Sequence, residues 1–354
     1  MKELLRQLMA IPAACGREQE IIRFLYNRMK EQVDECYVDG IGNLILRQKG
    51  KLPGPVLYLS AHTDEVGLIV KKIEKSGLLR FEKLGGNDDR NLLLAQVWVN
   101  TESGQLPGII GGLSAHMRQF DRGDLVRQTK DLYIDIGAKD EESALKMGVQ
   151  PGDTVTWASE FKEFGDNRAM GHAFDDRAGC AILVKALEEL DFAKVSGEVY
   201  GVFSVQEELG IRGARVASHQ IHADVAIALD ATVVSDTPER VLDNALVLGN
   251  GPAIKVLDNR LISSLEVVKG LRRVAKENNI PHQYEIFSGI GTDAGEMHLS
   301  HAGVPTGVIS IPSRYSHSPY EVIDLGDLHY AKDLLVAFIY SMKNKDEFSF
   351  LKHS

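Results

Sequence analysis

An excess of basic charge is missing from this chain of 354 residues, in which 40 lysines and arginines face 50 aspartates and glutamates for a formal net charge of -10. Nucleic acid and anionic membrane both select a basic surface, so neither is expected as a partner. No apolar stretch reaches the roughly 18 residues that a membrane-spanning helix needs. The opening segment, Met1 to Met9, interleaves acid and base along an amphipathic helix and has no secretory apolar region. Cysteine is scarce. Cys15, Cys36 and Cys180 are odd in number and lack metal-ligand spacing, which suits a reducing cytoplasm. Neither Gly85-Gly86 nor Gly111-Gly112 is followed by the Lys-Ser/Thr of a phosphate loop, so both read as turns. There is no internal repeat and no low-complexity segment. What remains is ordinary globular composition, 44% hydrophobic and 25% charged, on a chain long enough to bury a large core.

Four apolar runs stand out by the polar residues at their carboxyl ends. Val199 to Phe203 leads into Glu207-Glu208, Val56 to Ser60 into His62-Thr63-Asp64, Val225 to Leu229 into Asp230, and Gly307 to Ile311 into the turn that holds His317. Runs of this kind read as buried strands of a parallel sheet, and the carboxyl ends of such strands are where open α/β sheets bind ligands. A single strand-end acid or histidine is ordinarily just solvated. Four together point to a site. Imidazole is a common ligand of divalent metals, and strand period two puts Asp64 on the side of His62, placed to take its second ring proton.

A fifth element is Asp175-Asp176, ahead of a helix over 175 to 190 whose apolar positions Cys180, Leu183, Val184, Leu187 and Leu190 follow helical spacing. One aspartate is accounted for as an N-cap. The second is free for chemistry, and one carboxylate can bridge two cations at co-catalytic spacing.

Helical periodicity nearly vanishes between Leu68 and Asn167. Short strand-like runs at 68 to 70, 79 to 81, 96 to 99, 132 to 136 and 154 to 157 replace it, with one short helix from Asp140 to Met147. The pattern predicts an α/β domain over 1–67 and 168–354, with helices near 17 to 32, 262 to 278 and 327 to 343, interrupted by a small β-barrel-like domain over 68–167.

The motifs His62-Thr63-Asp64, Phe174-Asp175-Asp176-Arg177-Ala178-Gly179, Gln206-Glu207-Glu208-Leu209-Gly210, Leu229-Asp230, Ile290-Gly291-Thr292-Asp293-Ala294 and His317-Ser318-Pro319 resemble, in type and order, the tetrahedral and glutamyl aminopeptidase family of dinuclear metallopeptidases. The resemblance spans nearly the full chain. It implies a mixed, largely parallel sheet flanked by helices, as in zinc exopeptidases. It also implies that Asp175 bridges two metals, that His62 and Asp230 complete one site and Glu208 and His317 the other, and that Glu207 is the general base on a metal-bridging water. Asp64 is counted with the catalytic group. Many relatives have Met where Thr63 stands, a side chain expected to point away from the metals. Two divalent cations balance Asp175, Glu208, Asp230 and a bridging hydroxide, which leaves Glu207 free to move a proton. Zinc, cobalt and manganese all suit such ligands. The resemblance further implies a cis Asp175-Asp176 peptide bond and short peptide substrates. It implies a homo-oligomer, a twelve-subunit shell, formed through the inserted domain, whose strand edges and apolar residues, Trp98 and Trp157 among them, would be covered by association. His116 matches a loop histidine of relatives and is a candidate for lining a neighbouring site. Asp293 is expected to support the floor of the site. The remaining histidines read as surface or supporting residues.

Two other classes compete. Proteins of this kind are sometimes labelled endoglucanases, but a glycoside hydrolase sets its carboxyls about 5 to 9.5 Å apart across a bond, usually among aromatic platforms, and leaves His62 and His317 without work. A non-catalytic metal-binding protein would need the ligands without Glu207.

Overall fold

The computed structural model describes residues 1–114, 116–117, 126–242 and 246–351. From the amino end come α1 (Lys2–Met9), α2 (Gln19–Met29), β1 (Glu35–Val38), β2 (Leu44–Lys49) and β3 (Leu52–His62). The chain then leaves for β4 (Gly67–Ile73), β5 (Leu79–Leu84), β6 (Gln96–Thr101), β7 (Gly104–Ile110), β8 (Ile134–Asp135), α3 (Glu141–Lys146) and β9 (Thr154–Trp157). It returns through β10 (Lys162–Phe164), β11 (Arg168–Gly171), α4 (Phe174–Glu189), β12 (Ser196–Ser204), α5 (Arg212–Ser218) and β13 (Val225–Val233). The last part is β14 (Ala253–Leu257), α6 (Leu265–Glu277), β15 (Gln283–Ile286), α7 (Ala294–Met297), β16 (Thr306–Arg314), β17 (Glu321–Asp324) and α8 (Leu325–Ser341).

Eleven strands form one mixed sheet with β12, β3, β13 and β16 side by side at its centre, all parallel. Their apolar runs are continuous because helices cover both faces. Alternation assigns the faces: Leu57, Leu59 and Ala61 of β3 pack with α4 and α8, while Tyr58 joins the cluster holding Ala217 of α5 and Met297 of α7. Helix α6 lies on the first face through Val267, Leu271 and Val274, as its 3.6-residue periodicity requires.

Strands β4, β5, β8, β7, β6 and β9 close into a barrel. Its core of Leu68, Val70, Phe81, Val97, Val99, Ile134, Val155 and Trp157 is a cluster separate from those of the large sheet. β10, which follows the barrel, pairs with β11 in the large sheet. One expectation needs correction. Trp157 is not an exposed apolar residue but lies opposite the inward-facing Val97, and only 2% of it is exposed, while the neighbouring outward position holds a half-buried Trp98. Among the described residues, the exposed large apolar ones of this region are Leu93, Leu94, Ile109, Leu113, Met117, Val126, Leu145 and Phe164.

Candidate active site

Because the four central strands are parallel, their carboxyl ends open on one edge of the sheet. His62 ends β3 in register with Ser204, the last residue of β12, and Glu207 and Glu208 follow in the next turn. Asp230 lies in β13 opposite Ser310 of β16, and His317 lies in the turn from β16 to β17 with φ of 61°. Asp175 arrives from the start of α4. The two aspartates there divide the work. Asp176 accepts the Gly179 N–H at 2.9 Å, as an N-cap does, whereas Asp175 turns toward the histidines. Both have non-helical backbone angles, and the peptide bond between them is cis, as expected.

His62 Nε2 stands 3.1 Å from Asp175 Oδ1 and 3.7 Å from Asp230 Oδ1. His317 Nε2 stands 3.3 Å from Asp175 Oδ2 and 3.0 Å from Glu208 Oε1. Two triads result, His62–Asp175–Asp230 and Asp175–Glu208–His317, each with ligand atoms within 4.8 Å of one another and with Asp175 common to both. Glu207 belongs to neither triad and lines the same cavity of about 500 Å³.

A family model for M42 glutamyl aminopeptidases matches residues 42–334. The chain belongs to that family. A putative aminopeptidase of Acetivibrio thermocellus is 41% identical over 339 residues, covering 96% of this chain and 98% of that one. Aminopeptidase APDkam598 of the archaeon Desulfurococcus kamchatkensis has the same fold, with a TM-score of 0.93, 38% identity, and coverage of 99% and 97% of the two chains. The TET1 peptidase of Pyrococcus horikoshii, which can assemble into a tetrahedron or a large octahedral shell, matches with a TM-score of 0.87 and 33% identity over 96% of this chain and 99% of that one. Membership in the M42 family makes the chain an aminopeptidase, a hydrolase of peptide bonds, on the mixed sheet with flanking helices that the sequence predicts.

The arrangement of protons indicates what this M42 site is built to hold. His62 Nδ1 lies 3.1 Å from the Asp64 carbonyl oxygen, and His317 Nδ1 lies 2.9 Å from that of Gly86. Carbonyls only accept, so the hydrogen bonds put the ring proton on Nδ1 in both residues. Each Nε2 lone pair then faces carboxylate oxygens. That is repulsive unless positive charge stands between them, as a second proton or as a metal ion. Burial opposes protonation of both rings, yet the surrounding carboxylates outweigh it and raise both pKa values well above the usual histidine range. Burial likewise pushes Asp230 up to about 7, and it raises Glu207, with Asp230 and Glu208 adding repulsion. Glu208 Oε1 is buried without a hydrogen-bond partner. Hard carboxylate oxygens and imidazole nitrogens converging in this way fit two divalent cations.

The predicted contact between His62 and Asp64 differs in detail. The carbonyl of Asp64 is nearer to Nδ1 than its carboxylate, whose Oδ1 is 3.6 Å away, because that carboxylate accepts the backbone N–H groups of Glu207 and Glu208 at 2.9 and 3.1 Å. Asp64 thus ties β3 to the turn that carries both glutamates. Asp293 sits below, accepting from Ser60 and Ser204. His116 is exposed and does not line this cavity. Two contributors escaped the sequence. Glu321, 2% exposed, accepts the N–H groups of Asp175 at 3.0 Å and His317 at 2.9 Å and so joins both halves of the shared site. Gly86 reaches His317 from the barrel.

Proposed function

We propose that this aminopeptidase works with two divalent metal ions, removing residues from the free amino end of short peptides. The observation that carries the reading is the pair of triads sharing Asp175. His62 and Asp230 would hold one ion, Glu208 and His317 the other, with zinc or cobalt favoured and manganese compatible with the same ligands. When bound, the ions supply Lewis acidity toward the scissile carbonyl and a lowered pKa for water. Glu207 is free of both triads, so its carboxylate takes the proton of the attacking water and delivers it to the leaving amine as the C–N bond breaks. Asp64 holds the Glu207 amide and thereby orients that base. The acids around the site attract the positively charged amino end of a peptide.

A glycosidase reading finds no support in the geometry. The carboxylates are gathered around imidazoles rather than spread across a gap, and neither Trp98 nor Trp157 is among the described residues lining the cavity. The cytoplasm is the proposed setting, in keeping with three unpaired cysteines; no helix among the described residues is long and apolar enough to cross a membrane. For assembly, the exposed leucines of the barrel region and the behaviour of the Pyrococcus relative support a closed shell formed through that region, with twelve subunits as the expected form. Light scattering tests this, and a monomer at micromolar concentration overturns it. For the chemistry, Glu207→Gln is expected to keep its metal content while turnover falls about 10²- to 10⁴-fold. Near wild-type hydrolysis of aminoacyl anilides by that variant would remove Glu207 from its role.

A further inference from the structure

The turn that carries both glutamates begins abruptly. Gln206 has a φ of 54°, a left-handed conformation that is unfavourable for a residue with a side chain and persists only where its surroundings fix it. Here those surroundings are carboxylates. Three consecutive N–H groups each meet an acid: those of Glu207 and Glu208 donate to Asp64, and that of Gln206 donates to Glu18 Oε1 at 3.0 Å. On the other side the Glu207 carbonyl accepts the Gly210 and Ile211 N–H groups at 2.8 and 2.7 Å, which closes the turn.

Glu18 has no local reason to be buried. It stands at the N-cap of α2, yet its side chain makes no capping bond to that helix, and only 4% of it is exposed. Its Oε1 instead accepts the N–H groups of Gly16, at 2.8 Å, and of Gln206. The segment it comes from is pinned: the Ala13 N–H donates to Glu65 Oε1 and the Glu65 N–H to the Ala13 carbonyl, both at 3.0 Å, and the fully buried Arg177 reaches the same Oε1 at 3.3 Å. Glu65 follows Asp64 in the chain, so both acids that receive the turn come from segments stitched together. A neutral oxygen suffices for this work, since burial, with Asp64 adding repulsion, pushes the Glu18 carboxyl up to about 7. Glu18 is not among the residues lining the cavity, and it reaches the reacting groups only through the turn.

We infer that Glu18 is a positioning residue for the reaction, fixing the turn from which Glu207 projects into the cavity. The inference rests on the general-base reading of Glu207. Three variants separate acceptor from charge: Glu18→Gln keeps the oxygen without the charge, Glu18→Asp keeps the charge on an arm one methylene shorter, and Glu18→Ala keeps neither. In Glu18→Ala kcat should fall about 10- to 100-fold with KM and metal content unchanged, as expected for a misplaced catalytic group. Glu18→Asp should fall likewise, and Glu18→Gln should keep most of the rate. Combined with Glu207→Gln, neither Glu18→Ala nor Glu18→Asp should cost further rate, because no base remains to be positioned. Wild-type kcat in Glu18→Ala, loss of metal from it, or an equal further fall in the Glu207→Gln background, as a merely structural role would give, overturns the inference. So does a Glu18→Asp variant as active as Glu18→Gln, a comparison that decides alone if Glu18→Ala does not fold. Deuterium uptake over residues 204–210 reads the turn apart from turnover; it should rise in Glu18→Asp and return to the wild-type level in Glu18→Gln, and unchanged uptake also overturns the inference. Full activity of Glu207→Gln would instead strike the catalytic reading, while the uptake would still decide whether Glu18 fixes the turn.

Discussion

In the α/β half, residues more than a hundred positions apart reach one sheet edge as side chains; the barrel supplies none of the triad ligands, and its hold on His317 is a backbone carbonyl at Gly86. The first half encodes chemistry in residue type. The second encodes position, through the path of its chain. The difference decides how each responds to substitution, since a ligand is lost by changing one side chain, whereas a carbonyl is lost only by moving the chain that bears it.

The largest effect is expected in the α/β half. Asp175→Ala removes the carboxylate common to both triads, so both ions should leave, and turnover should fall on the order of 10³-fold or more as their Lewis acidity is lost. Asp230→Ala touches one triad and should release one ion. Metal content by elemental analysis, compared with the rate for each variant, checks the contrast. If the two variants lost the same number of ions, Asp175 would not be the shared ligand.

A smaller effect should come from the barrel side. A Cβ on Gly86 would stand 3.2 Å from His317 Nδ1, tighter than an ordinary contact, so Gly86→Val should displace the carbonyl that fixes the ring. Loss of such an orienting partner typically costs about 10- to 100-fold in metal affinity or activity. Unchanged kcat and unchanged metal affinity in Gly86→Val would cut the barrel out of the site.

The same contrast explains what the sequence disclosed. Strand ends at His62, Glu207-Glu208, Asp230 and His317 were legible because central parallel strands are long apolar runs, against which a polar residue stands out. Helices predicted at 17 to 32, 175 to 190, 262 to 278 and 327 to 343 correspond to α2, α4, α6 and α8 with ends shifted by a few residues, since periodicity locates a helix better than its caps do. Glu321 was missed because its four-residue strand gives no apolar run and its work is done on backbone N–H groups. β7 was missed for another reason: Gly104 to Ile110 contains Pro107 and Gly108, which read as a break, yet the strand is held by pairing with β6 on one side and β8 on the other. Gly86 had no legible signal, because a carbonyl is common to every residue.

The smallest expected effect concerns whether the two halves also melt apart. Ile134 in the barrel and Ile227 in the large sheet are both fully buried, and their clusters share no residue. Replacing either by Val deletes one methylene and should cost about 1 kcal/mol. If each core is a cooperative unit, that loss should lower only its own midpoint, by on the order of 4 °C for a unit the size of the barrel. The chain provides a probe for each half: both tryptophans, Trp98 and Trp157, lie in the barrel, whereas among the described residues every α-helix except the short α3 lies in the α/β half. Ile134→Val should therefore shift the tryptophan fluorescence transition and leave the helical circular dichroism transition in place, and Ile227→Val should do the reverse. Should both signals move together under either substitution, the two cores form one cooperative unit, and the contacts at Gly86 and along the crossings near residues 62–67 and 157–168 couple them more strongly than their separate packing implies.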